Sequence, residues 1–250
     1  MPDVDTHRQA AENGFGRLIR SASLFEDIVK VICTCNVTWR QTVTMVQAIV
    51  QHWGVPAAPG ERGSCEQSRD RKGAESGMSP ATAPAHGFPT PARLARAGEA
   101  NLKRLARVGY RAGFIQHLAR DVADGRLDLQ QIEQHTGPTD ELCRVLRQIK
   151  GVGDYAAGNL AMLLGRYDCL AIDTEMSRLL TRRYPRRTWS PARMRAHYES
   201  WRPYQFLAYW FELWQDYVAR HGAPEGWTAD GVGRSITPPS SSRAEDLTKN

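Results

Sequence analysis

The sequence predicts an all-α fold. Apolar residues recur at helical spacing in one segment after another. Ser, Thr or Thr-Pro precedes these segments and glycines follow them. No stretch shows the period-2 alternation of a half-buried strand. A chain of 250 residues with 41% hydrophobic content can build a real core, as one large domain or as two lobes.

The elements follow in order. In "SLFEDIVKVICTCN", Leu24, Phe25, Ile28, Val29, Ile32 and Cys33 make one apolar stripe, with Ser23 as N-cap and Glu26 three residues on. In "TWRQTVTMVQAIVQHWG" the stripe is Trp39, Val43, Val46 and Val50, and Gly54 stops the helix. Residues 54–87 contain no Leu, Ile, Phe, Tyr or Trp, and such a segment buries too little apolar surface to order itself; it is expected to be a flexible insertion. Helical pattern resumes at Thr90-Pro91, a good helix start, with Leu94, Leu102, Leu105, Phe114, Ile115 and Leu118 facing inward. A further helix, capped by Thr139, leads into Gly151-Val152-Gly153. Then come a helix over 154–164, a short connection, a helix starting at Asp173 and two closing helices in "WSPARMRAHYES" and "RPYQFLAYWFELWQDYVARHG". About nine or ten helices are expected in all. Residues 1–20 are expected to be a flexible N-terminus and 222–250 a disordered tail.

Composition narrows the function classes. The net charge of +6 favours a polyanionic partner. Cysteines at 33, 35, 65, 143 and 169 show no paired C-x2-C spacing and no four-cysteine run, so neither a zinc nor an iron–sulfur site is expected, and reduced packing thiols fit best. The polar, acid-bearing N-terminus does not look like a secretory signal, and no apolar run reaches the length of a membrane span.

Two features carry chemistry. In "IKGVGDYAAGNL", Gly151 and Gly153 flank Val152 between two helices. Glycine allows positive φ and close backbone approach, and backbone N–H groups at the mouth of the next helix can hold a phosphate oxygen. In "CLAIDTEM", Asp173 closes an apolar run and opens a helix. Taken alone, the first is most simply a turn and the second most simply a helix cap. A carboxylate at a helix mouth can also stabilise developing positive charge.

Together they resemble the helix-hairpin-helix superfamily of DNA base-excision glycosylases, whose shared pattern is a hairpin of the L-P-G-V-G type followed about 20 residues later by an Asp that opens a helix. Here Gly153 and Asp173 are 20 positions apart. "LFEDIVKVICTCNVTW", "GFPTPARLA" and "VGYRAGFI" are similar to the 8-oxoguanine and 3-methyladenine glycosylase branch without an iron–sulfur cluster. "PYQFLAYWFELW" is similar to a closing helix of less-studied members. The likeness covers about residues 24–220 outside the insertion. It implies a two-lobed helical domain over 21–221 with a cleft between the lobes and the hairpin at 149–155. It implies Asp173 as the catalytic carboxylate. It also implies a DNA-binding set of Lys150, Gly151, Val152, Gly153, Asn36, Arg111 and Arg178, with Arg111 reading the base opposite the lesion. Tyr155, Phe206 and Trp210 would wall the base pocket. No cofactor or essential metal is implied, apart from a sodium or potassium ion at the backbone of Gly151 and Gly153.

Departures from the pattern fix the expected reaction. Bifunctional members carry a lysine two residues after the second hairpin glycine, whose amine forms a Schiff base with the sugar. Tyr155 stands there, and a phenol forms no imine. Lys150 replaces the usual Pro before Gly151 and is expected to face the DNA backbone. The implied activity is therefore monofunctional: a damaged nucleotide is flipped out of the duplex, its glycosidic bond is hydrolysed with Asp173 guiding the water, and an abasic site is left. An oxidised purine, suggested by Asn36 and Arg111, or an alkylated one is the implied substrate, in double-stranded DNA with a damaged or mismatched base. The chain is expected to act as a monomer without membrane attachment, in the bacterial cytoplasm at the nucleoid or in a nucleus. Seven arginines and no acid between Arg178 and Arg195 agree with a DNA partner. A non-catalytic DNA-binding hairpin protein, or a glycosylase/lyase that uses a different lysine, remain the alternatives.

Overall fold

The computed structural model describes Glu12, Phe15, Gly16 and residues 18–56 and 86–222. Eleven α-helices make up the described chain. They are α1 (Leu24–Thr34), α2 (Trp39–Trp53), α3 (Pro91–Ala97), α4 (Glu99–Leu105), α5 (Arg111–Ala123), α6 (Leu129–Glu133), α7 (Thr139–Leu146), α8 (Asp154–Leu163), α9 (Thr174–Arg183), α10 (Pro191–His197) and α11 (Gln205–His221). A 3-10 turn at Glu199–Trp201 precedes α11.

Local chemistry sets the helix starts. Ser23 caps α1 through Glu26 N, Thr38 forms a capping box with Gln41 on α2, and Thr90 caps α3 with Pro91 in the first turn. Two expectations on the helices change. Thr139 is the first helical residue of α7 rather than its cap; the cap position is Pro138, and the Thr139 hydroxyl donates instead to Asp168 Oδ1 at 2.7 Å. On α2 the buried residues are Thr42, Met45 and Ile49, while Trp39 is 61% exposed. Apolar residues occupy neighbouring positions around 42–50, so the stripe could be drawn one position, or 100°, away from the face that packs.

The insertion is also bounded differently. Val55–Pro56 and His86–Gly87 pair as a two-residue antiparallel ladder, so its two ends are brought together at the surface. Residues 57–85, the acceptor of the flexible-insertion expectation, lie outside the described residues, as do 223–250. The end of the N-terminal segment is not free: the Phe15 ring meets Phe211 of α11 edge-on at 5.0 Å, and Arg20 pairs with Glu133 at 2.7 Å.

Two apolar cores divide the chain. The larger is built by α1 to α8 and centres on Ile28, Ile32, Leu102, Ile115, Leu118, Leu146 and Leu160. The smaller joins α9, α10 and α11 through Met176, Leu179, Leu180, Met194, Tyr198 and Tyr209. A third cluster, Met162, Ala171 and Phe206 with Tyr155 and Tyr167 against it, bridges the two. Asp173 follows Ala171 by two residues and opens α9, so it stands where the lobes meet.

Candidate active site

The hairpin is a connection between α7 and α8. Val152 N donates to Ile149 O at 3.0 Å, and both side chains are buried in the larger core. Val152 can therefore meet a ligand only through its backbone. The two glycines are needed for different reasons. Gly151 has φ of +93°, and a Cβ there would stand 2.6 Å from Phe114 Cγ. Gly153 has φ of −92°, and a Cβ would meet nothing within 4 Å. Gly151 is thus required by the fold. Gly153 leaves open space before the first turn of α8, where unpaired N–H groups point outward. Arg147 bridges the hairpin to Asp154 at 2.9 Å. Lys150 is exposed, and its charge is felt at Glu99 of α4.

The connection from Gly165 to Asp173 is a strap pinned at several points. Arg166 donates to the His135 carbonyl at 2.8 Å, Asp168 accepts from Thr139, and Tyr167 O accepts from Phe206 N at 2.8 Å. At Gly158 of α8 the Ala171 backbone lies so close that a Cβ would be 3.1 Å from Ala171 Cα. This glycine was not singled out from the sequence. An interior helix glycine with an apolar run ten or more residues later was the available sign of a close crossing.

At the end of the strap, Asp173 caps α9. Its Oδ1 accepts from Met176 N at 2.8 Å. The carboxyl is half-buried, and burial raises its pKa against the lowering effect of the Met176 N–H. Tyr155, the second residue of α8, is also half-buried, and its phenol is pushed up by burial and then by the negative charge of Asp173. From α11 the residue that feels Asp173 is Tyr209, raised by burial and then by Asp173. Asp173 is thus within electrostatic reach of the half-buried Tyr155 on α8 and of the buried Tyr209 on α11.

The other expected pocket residues are placed differently. Phe206 is 1% exposed and belongs to the bridging cluster, so its ring supports the site from beneath rather than walling an open pocket. Trp210 is 39% exposed and stacks on Phe206 at 6.0 Å. Tyr209 was missed because the stripe read from 206, 210, 214 and 217 runs beside it on the helix.

Asn36 and Arg111 come together, but not as two DNA-facing side chains. Arg111 is 6% exposed; its guanidinium donates to the carbonyls of Val108 and Cys35. It ties α5 to the turn after α1. Its expected role as a reader of the opposite base would require the guanidinium to leave these carbonyls. Tyr110 is the residue presented at that point: it is 55% exposed, Arg111 lies 4.5 Å from its ring centre, and Asn36 Nδ2 donates to its hydroxyl at 3.4 Å. Arg178 lies on the exposed side of α9, paired with Glu175 at 2.6 Å. Cys33 is buried, which pushes its thiol up to about 12. No group of three or more potential metal ligands occurs among the described residues.

The model of the HhH-GPD superfamily of base excision DNA repair proteins matches residues 29–203. The chain belongs to that superfamily. The matched region contains α2 to α10, the hairpin and Asp173. DNA-3-methyladenine glycosylase 2 of Escherichia coli is 31% identical over 144 residues. That alignment takes in 57% of this chain but 45% of the bacterial protein, so the chain spans about half the length of the curated relative it matches. Among solved structures, 8-oxoguanine glycosylase/lyase of Clostridium acetobutylicum bound to double-stranded DNA superposes with a TM-score of 0.65 at 17% identity, covering 88% of this chain and 68% of that one. The 3-methyladenine DNA glycosylase of Schizosaccharomyces pombe in complex with abasic DNA superposes with a TM-score of 0.61 at 15% identity, covering 87% and 94%. These likenesses show the shared HhH-GPD fold.

Proposed function

We propose that this HhH-GPD protein is a monofunctional DNA glycosylase that releases alkylated purines from double-stranded DNA. The observation that carries the reading is a half-buried Asp173 that caps α9 two residues beyond Ala171 of the bridging cluster, with Tyr155 packed against that same cluster.

Hydrolysis breaks the bond between C1′ and the purine nitrogen and forms a bond from C1′ to water oxygen. The sugar passes through an oxocarbenium-like state. The Asp173 carboxylate, held by the Met176 N–H, faces that positive charge and takes the water proton as attack proceeds. Tyr155 supplies a ring but no amine, so no imine holds the sugar and the strand is left uncut.

The choice between purines rests on two findings. The guanidinium of Arg111 is buried and donates to the Val108 and Cys35 carbonyls, which weakens the support it lent to an oxidised guanine. The half-buried phenol ring of Tyr155, within electrostatic reach of the Asp173 carboxylate, suits a cationic base, which alkylation of a purine nitrogen creates. The name of the Escherichia coli relative agrees with this class. A backbone phosphate would rest on the N–H groups beyond Gly153. A sodium or potassium ion would use the oxygen-only donors of the hairpin, where Ile149 O and Gly153 O each accept one backbone bond and keep a second lone pair.

The test is incubation with a methylated duplex. Free methylated purine and alkali-labile sites are expected with the native chain and are expected to vanish in Asp173→Asn while duplex binding persists. A covalent complex trapped by borohydride would overturn the monofunctional assignment.

A further inference from the structure

The arginine run is not uniform. Arg178 pairs with Glu175, and Arg182 pairs with Asp216, each at 2.6 Å. Both lie on α9, near acids. Beyond the end of α9 the pattern changes. Arg186, Arg187 and Arg193 rim an open cavity of about 510 Å³ whose wall is Thr188, Trp189, Ala196 and His197. No carboxylate lines it, and none of the three guanidiniums has an ion-pair partner among the described residues.

This rim is organised. Arg193 donates to both the carbonyl and the hydroxyl of Thr188, which joins α10 to the loop before it. Arg187 lies 5.9 Å from the Tyr184 ring centre. Tyr184, Trp189 and His197 pack edge to face, with Trp189 5.8 Å from Tyr184 and 5.2 Å from His197. Burial lowers the pKa of His197, so the imidazole adds no further positive charge near neutrality. Three cations gathered on an aromatic base match the chemistry of a phosphodiester chain, in which guanidiniums take phosphate oxygens and ring surfaces take sugar or base; the nearest acid felt by that base, Glu212, is wholly buried on the Tyr198 hydroxyl and does not line the cavity. The alternative of a merely solvated basic face does not account for the missing carboxylates, since the same run pairs its first arginines with acids. The cavity is also not the reacting site. Asp173 caps the first turn of α9 and the cavity lies past the last, a ten-residue helix or about 15 Å away.

We propose that the Arg186–Arg187–Arg193 cavity is a second DNA contact, which grips backbone phosphates in the flank of the duplex whose damaged nucleotide is at Asp173. This rests on DNA as the partner, but not on base release.

The test compares the full chain with the variant Arg186→Gln/Arg187→Gln/Arg193→Gln, and with Arg186→Gln/Arg187→Gln, which keeps the Arg193–Thr188 link in case the triple variant folds poorly. Fluorescence anisotropy gives the affinity for undamaged duplexes of about 30 and about 10 base pairs across a salt series. On the long duplex the triple variant is expected to bind about ten-fold more weakly, with a log–log salt slope shallower by about two to three, and the double variant about two-thirds of that slope change. On the short duplex, affinity is expected to be unchanged, as is base release from a duplex of the same short length that carries one alkylated purine. Equal losses on both lengths, or no loss on either, would overturn the proposal. A loss confined to single-stranded oligothymidine would assign the cavity to a separate strand instead. Stronger displacement by inorganic phosphate than by chloride of equal ionic strength would assign it to a small anion instead. Absence of base release on every substrate would refute the glycosylase activity while leaving the length-dependent binding loss intact.

Discussion

At the scale of the residue, Asp173 does two compatible things: it caps α9 and it places a carboxylate at the junction of the lobes. Asn is as good a cap as Asp, so Asp173→Asn separates the roles. Base release is expected to fall by at least about a hundred-fold, the scale of losing one electrostatic group in a transition state. Stability is expected to hold or rise. A carboxyl whose pKa is raised by folding contributes stability below its ordinary value of 3.8 and loses that contribution as pH rises through the folded value, so the ionised group costs stability at neutral pH. The same shift sets the acid limb of activity, which should fall off at a pH above the ordinary aspartate value of 3.8; a limb at or below 3.8 would contradict it. The hairpin glycines give a paired test. Gly151→Ala, with φ of +93° and Phe114 at 2.6 Å, is expected to cost about 2–4 kcal/mol in a denaturant titration. Gly153→Ala should fold normally and lose duplex affinity, because the space its Cβ enters is where a phosphate would approach. Asp173 and Gly151 were legible in the sequence because spacing and residue type announce them. The burial of Arg111 was not legible, because a single sequence does not show that two carbonyls accept from its guanidinium.

At the scale of the element, the helices were readable and their faces less so. Caps at Ser23, Thr38 and Thr90 mark true starts, since each side chain has a backbone N–H to satisfy. The packing face of α2 was off by one position because its apolar stripe is wider than its buried one. Close crossings leave a weaker trace still. Gly158 lets the strap run against α8, and Gly158→Ala is expected to push Ala171, and with it Asp173, by a few tenths of an ångström. Base release should then fall by about ten-fold or more while the chain stays folded, because reacting geometry tolerates little displacement; wild-type turnover in that variant would show that the strap does not position the acid. In the smaller lobe, the Tyr198 hydroxyl donates to Glu212 at 2.9 Å, and Glu212 is wholly buried. Tyr198→Phe removes that donor and is expected to destabilise the chain by about 2–4 kcal/mol, read by thermal or chemical denaturation.

At the scale of the whole molecule, two apolar cores and a bridging cluster set where the proposed chemistry would lie. The acid comes from the first residue of the smaller lobe and the hairpin from the last connection within the larger one. A duplex laid across the junction would meet both. With a net charge of +6, affinity for it should fall steeply with salt. The lobed architecture itself was reached through likeness of motifs, because helical spacing counts helices but does not say which of them share a core. Residues 57–85 separate α2 from α3 in sequence, while Val55–Pro56 and His86–Gly87 close that gap in space, so the interruption does not divide the larger lobe. The most direct measurement of the central claim is a single-turnover assay on a duplex carrying one alkylated purine, with base release and strand scission followed separately. Stoichiometric release of the base, with breaks appearing only after alkali and neither seen in Asp173→Asn, is the predicted result. Strand scission without alkali, or unchanged release by Asp173→Asn, would contradict it.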